Sequence, residues 1–256
     1  MSRRRWIAAT ALGLPLATVA LLGVEVVLAT RAEYLPDDPG YLVEAEVTPD
    51  GAAATGPVLR MVMLGDSTVA GLGAPTVEES LPVQTAQRVA DRTGRPVAVR
   101  GLGISGARVA SVTAEQIPLL RGDADVVVIV IGSNDVTHAT PPWRFDDQVR
   151  AMLESAQQAA GEAPVVLGGI PLFGGATALA QPLRWVVGRY AEPLRGIQRD
   201  VAADAGVVFV NIAVEASPRF RGVPGAMSSD GFHPAPIGYG FWADALSDGV
   251  TRALNR

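Results

Sequence analysis

The chain contains no cysteine and no lysine, and it has only two histidines, His138 and His233, among its 256 residues. Without cysteine, the protein has no thiol nucleophile, no disulfide and no thiolate metal site. Without lysine, P-loop, Schiff-base and Ser-x-x-Lys chemistries are excluded, because each of them needs a lysine amine. Any histidine that serves as a general base must therefore be His138 or His233.

An excess of positive charge is also missing. The 21 basic residues are all arginine and are outnumbered by 26 acidic ones, which gives a formal net charge of -5. Nucleic-acid binding needs a basic surface that pairs with phosphates, so nucleic acid is not an expected partner. Apolar residues make up 48% of the chain, which is enough for one globular domain plus an N-terminal extension.

The first 30 residues have the pattern of a membrane anchor. Arginines at positions 3–5 precede a nearly unbroken apolar run over residues 6–24, which Glu25 interrupts. This run is close to the ~20 residues that span a bilayer and exceeds the ~7–15 residues of a secretory signal core. We interpret residues 1–30 as a signal anchor or a cleaved signal peptide. The positive-inside rule then predicts a protein that is membrane-anchored outside the cytoplasm, or secreted.

Residues 31–57 are rich in Pro, Gly, Asp and Glu without sustained periodicity, so we interpret them as an extracytoplasmic stalk. Residues 58–256 alternate apolar β-type runs with helical patterns. This alternation predicts an α/β domain, a three-layer α/β/α sandwich with a mostly parallel, flavodoxin-like sheet of five strands. The predicted strands are 58–64, 97–100, 125–131, 164–168 and 207–211, and the predicted helices are 80–92, 108–120, 144–160, 182–203 and 236–254.

In such a sheet the chemistry lies beyond the carboxyl ends of the strands. The first predicted strand ends in Gly65-Asp66-Ser67. Alone, this tripeptide is more typical of an Asp/Ser turn that caps a helix than of a serine nucleophile. The Gly-x-Ser-x-Gly elbow of other hydrolases is absent, because position 69 is Val.

The second strand is followed by Gly101-Leu-Gly-Ile-Ser-Gly106, which matches the dinucleotide fingerprint G-x-G-x-x-G. A Rossmann site also needs an acidic residue at the end of the next strand, where this chain has Ser133 and Asn134. We therefore interpret the glycines as a tight turn that exposes backbone N–H groups. Nucleotide binding is the weaker alternative.

Two further blocks place polar side chains after strands. The third strand is followed by Gly132-Ser-Asn134-Asp135, and the neutral Asn134 amide can hold a developing oxyanion if it is not simply a turn former. Near the C-terminus, Asp230 and His233 lie three residues apart. That spacing lets the carboxylate accept the imidazole Nδ1–H while Nε2 faces a nucleophile. A helix entry without chemistry is the alternative for this segment.

Taken together, the four blocks resemble those of the SGNH hydrolase superfamily, the GDSL-like lipases and esterases, in the same order over residues 58–254. The resemblance implies a serine ester hydrolase with Ser67 as nucleophile and His233 as base, oriented by Asp230. It also implies an oxyanion hole formed by the Ser67 N–H, Gly106 and Asn134, and it requires no metal or cofactor. The expected substrate is a small-molecule, lipid or glycan ester.

Two positions depart from the family pattern. Thr68 stands where the family name expects Leu, and Gly101 stands where many relatives carry Asn, so a supporting hydrogen bond is expected to be missing at Gly101. Asp66 and Asp135 are interpreted as turn formers that brace the site. His138 is expected to be a solvated loop residue.

Two other functions remain open from the sequence: an extracytoplasmic O-acyltransferase that uses the same site, and a non-catalytic lipid- or glycan-binding module. Residues 170–181 are a candidate rim over the site or a plain loop. The candidate residues for an acyl pocket are Leu72, Phe173, Trp185 and Phe232, although aromatic residues at such spacings are more often part of the core.

Overall fold

The computed structural model describes residues 21–51 and 53–256. Its strands are β1 (Glu44–Val47), β2 (Leu59–Gly65), β3 (Val97–Gly101), β4 (Val126–Val130), β5 (Val165–Gly168) and β6 (Val208–Val210). They form one sheet in the order β1-β3-β2-β4-β5-β6. All neighbouring strands are parallel except β1, which runs antiparallel to β3. The carboxyl ends of the five parallel strands therefore meet at one edge of the sheet.

Strands β2 to β6 correspond to the five predicted strands and have the flavodoxin-like order. The predicted number of strands is wrong, because β1 adds a sixth at the edge. β1 lies within residues 31–57, the stretch predicted to be a stalk. Its four residues alternate exposed Glu44 and Glu46 with half-buried Ala45 and Val47. A strand this short and charged is typical of a sheet edge and leaves little periodicity in the sequence.

Helices cover both faces of the sheet, as predicted. Helices α1 (Leu81–Thr93) and α4 (Pro236–Leu254) pack together on one face, and α2 (Pro142–Ala160) and α3 (Leu183–Asp204) pack together on the other. Each of these helices begins and ends within two residues of its predicted bounds. The short helical segments are Ser67–Ala70, Val109–Ser111, Val112–Gln116, Ile117–Leu119, Ser133–Thr137, Phe173–Gly175, Ile212–Glu215 and Ser217–Phe220.

The helix predicted over residues 108–120 is not a regular α-helix. A short α-turn over Val109–Ser111 continues into a π-helical segment, Val112–Gln116, and a 3₁₀ turn, Ile117–Leu119. Pro118 has no N–H with which to continue the α-helical pattern. The prediction of one regular helix is therefore wrong here.

Residues 21–30 are helical. Glu25 in this helix is 5% exposed, and its Oε2 accepts a hydrogen bond of 2.7 Å from the backbone N–H of Leu183, the first residue of α3. Most of the predicted membrane anchor, residues 1–20, lies outside the described residues. Within residues 21–51 and 53–256, no helix has both the length and the apolar character that crossing a bilayer requires.

Candidate active site

Ser67 lies directly after the carboxyl end of the central strand β2. Asp66 caps the short helix Ser67–Ala70, because its Oδ1 accepts hydrogen bonds from the backbone N–H of Thr68 at 3.0 Å and from Thr68 Oγ1 at 2.8 Å. Gly65 packs against β4 so closely that a β-carbon there would overlap the Val130 carbonyl oxygen. This tight strand-to-helix turn presents a serine that is 6% exposed. Thr68 thus has a definite role in the turn.

His233 and Asp230 complete a hydrogen-bonded chain with Ser67. The Nε2 atom of His233 lies 2.9 Å from Ser67 Oγ, and Nδ1 lies 2.6 Å from Asp230 Oδ2. Their loop is held closed by a hydrogen bond of 2.9 Å from the Ser228 N–H to the His233 carbonyl. The structure therefore brings Ser67 into contact with His233, which lies 166 positions further along the chain.

The Asp230 carboxylate accepts several hydrogen bonds. Its Oδ1 receives Ser228 Oγ at 2.7 Å and the backbone N–H groups of Phe232 and His233 at 2.8 and 3.0 Å. Burial raises the pKa of Asp230, but the hydrogen bonds from His233, Ser228 and the backbone outweigh burial and hold this pKa well below its usual range. The carboxylate is therefore ionised at neutral pH and can stabilise a protonated His233.

Asn134 lies in the short helix Ser133–Thr137, which contacts the loop that carries Gly106. The Asn134 side chain lines the cavity that contains Ser67, and its Nδ2 donates one hydrogen bond of 3.0 Å to the Ala107 carbonyl. Since an amide nitrogen carries two protons, one is left for another acceptor. Gly106 has a φ of +75° and does not line the cavity. Among the described residues, neither the Gly106 N–H nor the Ser67 N–H has a protein hydrogen-bond acceptor.

Asp135 stabilises the short helix that carries Asn134, as expected of a turn former. Its Oδ2 accepts the Val109 N–H and its Oδ1 accepts Thr140 Oγ1, each at 3.0 Å. His138, in contrast, is exposed, and its Nδ1 lies 2.8 Å from the Asn134 carbonyl oxygen. It does not line the cavity, in agreement with its interpretation as a solvated loop residue.

Two buried glutamines support the site, and the sequence analysis missed both. Gln116 exchanges two hydrogen bonds of 2.8 Å with the backbone N–H and carbonyl of Gly65. Gln198 accepts the Ile170 N–H at 2.9 Å and donates to the Ile131 carbonyl at 2.8 Å. Each side chain satisfies backbone groups at or just beyond a strand end. The signal was a glutamine on the apolar face of a predicted helix, where a polar side chain needs a buried partner.

The glycine block Gly101-Leu-Gly-Ile-Ser-Gly106 is explained by close packing. A β-carbon on Gly103 would overlap the Ala70 nitrogen and come within 2.6 Å of the Asp66 carbonyl oxygen. A β-carbon on Gly101 would come within 2.8 Å of the Val43 side chain. Val43 directly precedes β1, so the space beside Gly101 is filled by the segment that had been predicted to be a stalk.

The cavity at Ser67 has a volume of about 300 Å³. Phe173 and Phe232, two of the candidate pocket residues, line it, and so does the segment 171–176 of the candidate rim. Leu72 and Trp185 do not. Leu72 is buried beneath the site with its carbonyl accepting the Tyr239 hydroxyl, and Trp185 is 63% exposed on α3. Other lining residues are Asn134, Pro218, Phe220, Arg221, Met227 and Trp242.

Comparison with known proteins gives a consistent result. A sequence model of the GDSL-like lipase/acylhydrolase family matches residues 63–241. A GDSL-like esterase of Mycobacterium tuberculosis is 30% identical over 279 residues, which cover 100% of this chain and 87% of the relative.

Solved structures resemble the chain as well. The crystal structure of TesA is 25% identical with a TM-score of 0.61 and covers 76% of this chain and 99% of its own. The esterase EstA from Pseudoalteromonas sp. is 22% identical with a TM-score of 0.58, over 77% of this chain and 99% of its own. Phospholipase A1 from Streptomyces albidoflavus NA297 is 20% identical with a TM-score of 0.56, over 74% and 98%. The last two likenesses concern the fold alone.

Proposed function

The chain belongs to the GDSL-like lipase/acylhydrolase family and is an ester hydrolase, and from this premise we propose that Ser67, His233 and Asp230 are its catalytic triad. The observation that carries the proposal is the unbroken hydrogen-bonded chain from Ser67 Oγ through the His233 ring to Asp230 Oδ2, with distances of 2.9 and 2.6 Å. Nucleophile, base and orienting carboxylate are each within hydrogen-bond reach of the next.

In the proposed reaction, His233 Nε2 accepts the proton of Ser67 Oγ as this oxygen forms a bond to the ester carbonyl carbon. The tetrahedral intermediate collapses when the bond to the alcohol oxygen breaks, and His233 returns the proton to the leaving alcohol. Water, deprotonated by His233, then attacks the acyl-enzyme and releases the carboxylic acid and Ser67. Asp230 stays ionised throughout and holds the ring with Nε2 toward Ser67.

The Ser67 N–H, the Gly106 N–H and the second proton of Asn134 Nδ2 are the proposed donors to the oxyanion. Support comes from the two backbone N–H groups, which lack an acceptor among the described residues, and from Asn134, which lines the cavity beside Ser67. Such donors act most strongly when they are fixed before the reaction. The hydrogen bond from Asn134 Nδ2 to the Ala107 carbonyl fixes the amide. The hydrogen bond from the Val109 N–H to Asp135 fixes the short helix that carries Asn134.

The cavity supports an acyl chain of modest length as the group that is transferred to Ser67. Its volume of about 300 Å³ lies at the small end of small-molecule sites. Phe173, Phe220 and Met227 give it an apolar lining, whereas Arg221 is the cationic lining residue among those described. Short and medium acyl esters should therefore be cleaved faster than long ones.

A fluorophosphonate probe combined with an ester panel tests the proposal. Wild-type protein should be labelled and should hydrolyse p-nitrophenyl esters, whereas Ser67→Ala should lose labelling and at least ~10³ in kcat. Ser133→Ala is the matched control, because Ser133 lines the same cavity but is not bonded to His233, and it should still be labelled. Labelled Ser67→Ala protein would refute the assignment.

The same panel tests the acyltransferase alternative. When a sugar or alcohol acceptor is added to a hydrolase, the fraction of the acyl groups that is released as free acid stays unchanged. An acyltransferase would divert most of the acyl group into a new ester.

Membrane attachment through the N-terminus, with the domain outside the cytoplasm, is a further part of the proposal. It is supported by the apolar run over residues 6–24 after three arginines, and by exposed Leu21, Val24 and Leu28 on the helix 21–30. Full-length protein should remain with the membrane fraction after carbonate washing. Quantitative release into the wash would refute an integral anchor.

A further inference from the structure

Residues 34–37 follow the helix 21–30 in the chain. They contact two loops of the proposed site, one that carries Asp230 and His233 and one that carries Gly106. We call residues 34–37 the strap. The sequence analysis placed them in an extracytoplasmic stalk. In the structure, Tyr34 and Leu35 contact the loop that carries Asp230 and His233, and Asp37 contacts the loop that carries Gly106.

Three rings pack in series, with Phe232 between Tyr34 and the imidazole of His233. The Tyr34 ring packs edge-on against Phe232 with a centroid distance of 5.6 Å, and Phe232 packs edge-on against His233 at 5.3 Å. Aromatic pairs in this arrangement attract each other beyond the area that they bury. The Tyr34 hydroxyl donates to the Ala29 carbonyl at 3.0 Å, which ties the ring to the helix 21–30.

The next residue reaches the catalytic carboxylate itself. The Leu35 N–H lies 3.4 Å from Asp230 Oδ2, the oxygen that accepts the His233 Nδ1 proton. The Asp230 side chain is only 1% exposed. A carboxylate that is shielded from water binds its histidine partner more strongly than a solvated one.

At its other end the strap holds the Gly106 turn. Asp37 Oδ1 accepts a hydrogen bond of 2.7 Å from Ser105 Oγ, and Ser105 directly precedes Gly106. The strap therefore joins the acid side of the site to its oxyanion side. Its starting point is fixed in turn, because Glu25 in the helix 21–30 is buried and bonded to the Leu183 N–H.

We infer that Tyr34, Leu35 and Asp37 are positioning residues of the catalytic centre. Tyr34 and Leu35 shield the Asp230–His233 pair from water, and Asp37 fixes the position of the Gly106 turn. This inference rests on the proposed function. It makes the N-terminal segment part of the enzyme's active form and not merely a connection to the membrane.

The main test uses Tyr34→Ala in the full-length chain, with Tyr34→Phe as the conservative variant. Tyr34→Ala should lower kcat about fivefold to tenfold, whereas Tyr34→Phe keeps the ring pair and should stay within about twofold of wild type. Leu42→Ala is the control in the same N-terminal stretch, since Leu42 is 84% exposed, and it should leave kcat unchanged. A Tyr34→Ala enzyme with wild-type kcat would overturn the inference.

A spectroscopic measurement separates positioning from a loss of folding. The His233 Nδ1 proton, bonded at 2.6 Å to Asp230, should give a far-downfield proton resonance that His138→Gln retains and His233→Gln loses. In Tyr34→Ala this resonance should broaden through exchange with water while the far-ultraviolet circular dichroism stays that of wild type. An unchanged resonance would overturn the proposed shielding.

The Asp37–Ser105 contact is tested by a double-mutant cycle. Asp37→Ala and Ser105→Ala should each lower kcat about threefold, and the double variant should lose no more than either one, because both act through the same hydrogen bond. Additive losses of about ninefold would refute the contact as the cause. If only the inference about the strap is wrong, Tyr34→Ala keeps the wild-type kcat and Ser67→Ala is still inactive. If the proposed triad is wrong, Ser67→Ala is active, so the two failures are distinguishable.

Discussion

Gly103 packs so closely against Ala70 that a β-carbon at position 103 would overlap the Ala70 backbone nitrogen. Ala70 ends the short helix that begins at Ser67. The glycine is thus needed because the loop that carries Gly103 passes directly over the turn that carries Ser67. This contact explains a glycine pattern whose letters also match a dinucleotide fingerprint.

Gly103→Ala should therefore damage the site as well as the fold. The added methyl group forces the turn at Asp66 and Ser67 to move, so we expect a loss of about 1–3 kcal/mol in the free energy of unfolding and at least tenfold in kcat/KM. Gly188→Ala is the control, because Gly188 lies inside α3 with no atom within 4 Å of the new β-carbon. That variant should gain up to about 1 kcal/mol, measured by urea denaturation. Equal effects of the two substitutions would contradict the packing argument.

Gln116→Leu tests the support that Gln116 gives to the backbone at Gly65, two residues before Ser67. The substitution leaves the buried N–H and carbonyl of Gly65 without their two bonds of 2.8 Å, so the free energy of unfolding should fall by about 2–4 kcal/mol. Gln158→Leu changes an exposed glutamine on α2 and should stay within about 0.5 kcal/mol of wild type. Denaturant titration of both variants measures the difference. A Gln116→Leu protein as stable as wild type would mean that water or another group replaces the side chain.

Asp230→Asn tests the proposed role of the Asp230 carboxylate in orienting His233. A neutral amide favours the wrong tautomer of His233 and no longer stabilises the protonated ring, so kcat should fall by a factor on the order of 10²–10⁴. The surface substitution Asp146→Asn removes a carboxylate paired with Arg150 and should leave kcat unchanged. Steady-state kinetics on a p-nitrophenyl ester distinguish the two. An active Asp230→Asn enzyme would remove Asp230 from the triad.

The lowered pKa of Asp230 also predicts how stability depends on pH. Because the folded-state pKa lies below the unfolded value of about 3.9, the charged carboxylate stabilises the fold fully above pH ~5. This contribution shrinks as the pH falls below ~4 and is lost through the folded-state pKa. The stability difference between wild type and Asp230→Asn should thus be smaller at pH 3 than at pH 5, which urea denaturation at the two pH values measures. A difference that grows between pH 5 and pH 3 would contradict the assigned shift.

Most of the fold could be predicted from local patterns. The apolar runs of β2 to β6 and the four long helices are marked by periodicity, and strands covered on both faces read as continuous apolar segments. Strand β1 was not predicted, since its period-two alternation covers only four residues, too few to mark a strand, and the segment becomes one by pairing with β3. The irregular segment 109–119 was likewise missed.

The site was predictable to a different degree at each residue. Ser67, Asn134, Asp230 and His233 each belong to a recognisable block. In the structure, Ser67, Asn134 and His233 line one cavity, and Asp230 contacts His233. Trp185 could not be assigned correctly, because periodicity puts it on a helix without saying whether that part of the helix is covered.

The order of the amino acids limits the available chemistry to a histidine with a carboxylate three residues away, a serine after the first predicted strand, and no cysteine thiol or lysine amine. Which of these groups meet depends on the tertiary fold. Hydrogen bonds such as Gln116 to Gly65 or Asp37 to Ser105 join residues that are 51 and 68 positions apart. Their formation depends on how the sheet and its loops close in space, and no local pattern carries that information.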